Sequence, residues 1–163
     1  MSVNLFGMVE IRDRETGKWE YAPLYRKDKS GEYREVDMFR GQRTHVGLVF
    51  GQDPFDNSEE YIISRPLDAI ADIISAGRNI SLNELSDKCQ KKLGLNFEVG
   101  SEFFVCYTGQ DIKMIGVLAE QVSKDAYNSF NIYFGNIVAV LDVVGTSYNI
   151  HDSRKIRAIL YAV

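Results

Sequence analysis

Histidine and cysteine are scarce, with two of each in 163 residues. Cys89 and Cys106 form no CxxC pair, and with His45 and His151 they give no zinc set of recognisable spacing. Each cysteine lies on an apolar stripe, so both are expected as buried, unpaired thiols of a reducing compartment. Residues 53–60 (DPFDNSEE) offer oxygen ligands but lack the alternation and central glycine of a calcium loop. Gly41, Gly47 and Gly51 fit neither GxxxxGK[ST] nor GxGxxG, and Gly109 and Gly116 read as flanking a polar turn. His151-Asp152 suggests a hydrolytic pair, but neighbours in an extended segment point apart and no GxSxG elbow accompanies them. These absences lead us to expect no metal and no cofactor. An enzyme of unrecognised type around Arg43, His45 and His151 is the reading left open.

Long apolar runs are missing too. Segments such as 137–141 fall far short of the ~20 residues a spanning helix needs. The opening MSVNLFGMVE lacks the basic start and apolar stretch of a signal peptide. No membrane partner and a cytoplasmic location are expected. Nor is there an excess of cations: the net charge is −4, which disfavours indiscriminate binding to nucleic acid. Residues 12–43 depart from that balance, with nine Lys or Arg against seven acids.

Hydrophobic residues make up 45% of the chain and aromatics 12%, enough to order a core. One domain over residues 1–163 is expected. The first third reads as strands: 3–11, 19–26 and 33–39, separated by the glycine-bearing turns RDRETGK and KDKSGE, as a meander of two hairpins. Pro23 argues for an edge or a bulge there, since proline has no N–H for a ladder. The spacing predicts helices over 66–76 and 82–93, the second with Ser81 and Glu84 as a capping box and Gly94 as a stop. Residues 102–108, 113–122, 131–134 and 154–163 read as strands. Residues 43–50 and 137–144 fit helix or strand equally. The fold expected is α+β, a mostly antiparallel sheet with two or more short helices on one side.

Aromatic and basic residues interleave at Trp19, Tyr21, Tyr25, Arg26, Tyr33, Arg34, Phe39, Arg40 and Arg43. Trp, Tyr and Arg dominate protein interfaces, and a sheet bearing them can also stack bases. Of this group, Trp19, Tyr25, Arg40 and Arg43 are the residues expected to bind a partner. The stretch VEIRDRETGKWE (Val9–Glu20), with 24–43 after it, resembles the start of small uncharacterised proteins from phages and prophage regions. The likeness covers about the first 45 residues and implies no particular activity. Together these features point to a non-enzymatic accessory protein of phage type that binds a protein partner or associates with itself. The alternative is a small nucleic-acid-binding module using the N-terminal sheet.

Overall fold

The computed structural model describes residues 5–36, 39–41, 82–96 and 104–162. The helix expected over 66–76, the ambiguous 43–50, and the side chains of Arg40, Arg43 and His45 lie outside the described residues.

The chain begins with β1 (Leu5–Arg12), which turns back into β2 (Trp19–Tyr21). The turn is built by Asp13, whose Oδ1 accepts the N–H groups of Glu15 and Thr16 at 2.7 and 2.9 Å. Gly17 follows at φ +69°, where a side chain would be strained. A second hairpin joins β3 (Tyr25–Lys27) to β4 (Tyr33–Glu35), with Asp28 and Gly31 (φ +88°) in the same roles. The two hairpins do not form the continuous meander expected. Pro23 interrupts the chain between β2 and β3, and β3–β4 stands as a separate two-stranded ribbon. Strand β4 also stops at Glu35, and Phe39 beyond it is buried in the core.

In the main sheet the order is β2-β1-β7-β6, with β5 (Arg40–Gly41) pairing the other half of β1's outer edge. All pairings are antiparallel. Strands β6 (Phe104–Thr108) and β7 (Ile156–Ala162) match the expected segments closely. Alternation along them sorts two cores. Val9, Val105, Tyr107, Ile156, Ala158 and Leu160 share one hydrophobic cluster with helical residues such as Ile112, Phe134 and Val144. Met8, Cys106, Ile159 and Tyr161 join Leu85, Cys89 and Leu93 on the other face. Helices therefore cover both faces of the sheet, not one.

The expected strands at 113–122 and 131–134 are helical. α2 (Gly109–Val122) starts directly at the end of β6, where Thr108 and Asp111 form a capping box at 3.0 Å in both directions. Its buried positions Ile112, Ile115, Gly116 and Ala119 follow helical spacing. Ser123 closes α2 and caps α3 (Lys124–Ser147), which takes in both 131–134 and the ambiguous 137–144. Gly109 and Gly116 are thus helical residues, not turn markers. A Cβ at Gly116 would lie 2.9 Å from the Phe130 ring, so the glycine sets how closely α2 and α3 approach.

The helix expected at 82–93 divides into a 3-10 turn (Leu82–Glu84) and α1 (Asp87–Asn96). Ser86 offers its hydroxyl to the first turn of α1, reaching the Cys89 N–H at 3.4 Å, while the expected cap Ser81 lies outside the described residues. α1 runs through Gly94 instead of stopping there. Among the described residues no single helix is long and apolar enough to cross a membrane.

Candidate functional site

Among the described residues, strand β2 is an edge of the sheet. The bonds from Ala22 N–H to the Val9 carbonyl (2.9 Å) and from Asp13 N–H to the Lys18 carbonyl (2.8 Å) bracket the Ile11–Glu20 pair. Alternation along an antiparallel ladder then turns the backbone groups of Lys18, Glu20 and Ala22 toward β1. Those of Trp19 and Tyr21 point outward, and no described residue bonds them. They face a groove of about 760 Å³ whose near wall is Lys18–Tyr21 and whose far wall is Asn83–Lys88 with Gln90. A strand edge thus lies opposite the 3-10 turn and the start of α1.

A buried ion pair fixes the two walls to each other. Glu10 of β1 and Arg157 of β7 are directly paired in register and sit on the face that α1 covers. Arg157 donates from Nε to Glu10 Oε1 at 2.8 Å and from Nη2 to the Glu84 carbonyl at 2.9 Å. Glu10 Oε2 accepts the Ser86 N–H at 2.8 Å. The guanidinium lies 4.2 Å from the Trp19 ring centroid, close enough for a cation–π contact. One charge pair therefore holds the near wall through Trp19 and the far wall through two backbone groups.

Tyr21 is fixed in a similar way. Its hydroxyl donates to Glu35 Oε2 at 2.8 Å, the same oxygen that Lys92 of α1 contacts, and the Lys92 ammonium lies 4.8 Å from the Tyr21 ring centroid. Burial and the Glu35 carboxylate push the Tyr21 hydroxyl well above its ordinary range. Burial alone would raise Glu35, but hydrogen bonds from Lys92 and Tyr21 outweigh it and hold the carboxyl below its usual value.

The aromatic and basic residues singled out from sequence are dispersed. Trp19 and Tyr21 line the groove, whereas Tyr25 (58% exposed) and Tyr33 (70% exposed) stand on the β3–β4 ribbon. Arg26 and Arg34 face each other across that ribbon, and Arg34 pairs with Asp28 at 2.8 Å. Arg40 lies in β5 opposite Phe6. Sequence reasoning assigned no site role to the groove residues Glu20, Glu84 and Ser86, nor to Glu10 and Arg157 buried behind them. A signal for two of them existed: Glu10 and Arg157 are charges of opposite sign, each inside an apolar strand.

His151 borders a smaller cleft of about 250 Å³ between α2, α3 and the loop before β7. Its Nε2 contacts Asn149 Oδ1 at 2.9 Å. Asp152 does not orient it: both carboxylate oxygens bond Arg154, at 3.0 and 2.9 Å, and these bonds lower the Asp152 carboxyl to about 2. Among the described residues no group of three metal-ligating side chains converges. No family model matches the chain, and no curated protein or solved structure shows significant similarity to it.

Proposed function

We propose that the chain is a non-enzymatic protein-binding module, of the phage accessory type its opening hairpin resembles, that takes up an extended segment of a partner as an added strand on β2. The observation that carries this reading is the outward-facing backbone of Trp19 and Tyr21 beside an open groove. Unpaired strand edges template a further strand: main-chain bonds supply affinity, and a wall on the far side selects side chains. The buried Glu10–Arg157 pair preorganises both walls, which lowers the ordering cost on binding.

The test is selection of a displayed random-peptide library on the immobilised protein, followed by amide exchange with the recovered peptides. Strand addition slows exchange at Trp19 and Tyr21, while the Glu20 amide, already bonded to β1, changes little. Recovered peptides that leave both outward amides exchanging freely would remove β2 as the docking edge. A second reading, binding of single-stranded nucleic acid, draws on the exposed Tyr25 and Tyr33 beside Arg26 and Arg34. It requires affinity that falls steeply with salt, because each neutralised phosphate releases counterions.

A further inference from the structure

We infer that the occupant of the β2 edge is a strand from a different protein carrying a basic residue opposite Glu20, and not a second copy of this chain. This rests on the strand-addition reading above. With Trp19 and Tyr21 as the residues whose backbone faces outward, a two-fold antiparallel pairing that uses both sets Trp19 against Tyr21 of the other copy. Glu20 then lies directly opposite itself. That position is a non-hydrogen-bonded pair, where the Cα atoms approach to about 4.5 Å and side chains lie closest. Two carboxylates there repel, so this edge disfavours its own copy.

The same geometry favours a cation. Glu20 is exposed and has no ion-pair partner among the described residues. A Lys or Arg in the incoming strand, flanked by β-forming residues opposite Trp19 and Tyr21, meets every requirement the edge sets.

The probes are two synthetic peptides of alternating threonine and valine, identical except for a central lysine or a central glutamate. Binding is followed by fluorescence polarisation and by exchange at the Trp19 and Tyr21 amides. The lysine peptide should bind about fivefold more tightly than the glutamate peptide, the scale of a cross-strand charge reversal. Glu20→Lys, with folding verified by circular dichroism, should invert that preference. Equal binding of both peptides with protected Trp19 and Tyr21 amides overturns the basic-residue assignment but leaves strand addition standing. No binding and no protection by either peptide overturns strand addition itself. Protection of these amides in the peptide-free protein, growing with protein concentration, overturns the choice of a foreign strand in favour of self-pairing.

Discussion

Glu10 and Arg157 show how one residue pair organises several elements. A buried charge without its partner is poorly tolerated, because desolvation is no longer offset. Glu10→Leu should therefore destabilise the fold by about 3–5 kcal/mol, measured by urea unfolding with an unchanged slope. Adding Arg157→Met should recover much of that loss; a double variant as unstable as the single one would show that shape, not charge, dominates there. The helical glycines make a second contrast. At Gly94 a Cβ meets nothing within 4 Å, so Gly94→Ala should stabilise α1 by about 0.5–1 kcal/mol through helix propensity. Gly116→Ala gains the same propensity but drives a methyl into the Phe130 ring, and should lower stability by about 1–2 kcal/mol net. Sequence alone treats both glycines as breakers. What separates them is which neighbour the fold places within reach, and no local pattern carries that.

At the level of elements, the strands were the legible part. The turns built on Asp13–Gly17 and Asp28–Gly31, and the strand character of β6 and β7, follow from composition. The helices α2 and α3 were not legible as such, because Lys113–Val122 and Asn131–Val144 are rich in branched and aromatic residues that suit strands equally. Tertiary packing decided them: the buried Ile112, Ile115 and Ala119 meet α3, and the Thr108–Asp111 box starts the helix with no intervening loop. The capping box was readable in the sequence and outweighs the strand-like composition. The site was less legible still, since the groove joins β2 to α1 from far along the chain.

The docking of α1 can be followed through two thiols. Cys89 lies on α1 and Cys106 on β6, and both are buried in the cluster that α1 completes. Burial raises both thiols, Cys106 to about 12. The thiolate is the reactive form, so both should resist a thiol reagent near neutral pH until the protein unfolds. Immediate reaction of either would mean that α1 leaves the sheet readily. The sign of the linkage also follows: the unfolded chain loses the Cys106 proton near pH 9, whereas the folded protein retains it to about 12. Stability from this group is full below pH ~9 and declines as pH rises through that window. Thermal melts across pH 8–11 should show a falling midpoint, less so in Cys106→Ala.

At the scale of the whole molecule, the described helices cover both faces of the sheet. α2 and α3 cover one face, α1 covers the other, and at the β6 end Val105, Cys106 and Tyr107 are buried. Among the described residues the β2 edge has no strand paired to it, and a strand edge is where folded chains join one another unless something prevents it. β2 is three residues long and carries a single charge, Glu20, at its centre. The like-charge contact that two-fold pairing would create acts there as a guard. Removing it without disturbing the fold isolates that role, because the exposed Glu20 side chain has no bonded partner among the described residues. Glu20→Val should fold with an unchanged circular dichroism spectrum yet associate as concentration rises, with Trp19 and Tyr21 amides becoming protected in step. Valine also suits the strand, so the variant's β1–β2 hairpin should be no weaker than the parent's. Sedimentation velocity over a concentration series decides it: a variant that stays as monomeric as the parent at every concentration would mean that the groove, and not the carboxylate, keeps a second copy away from β2.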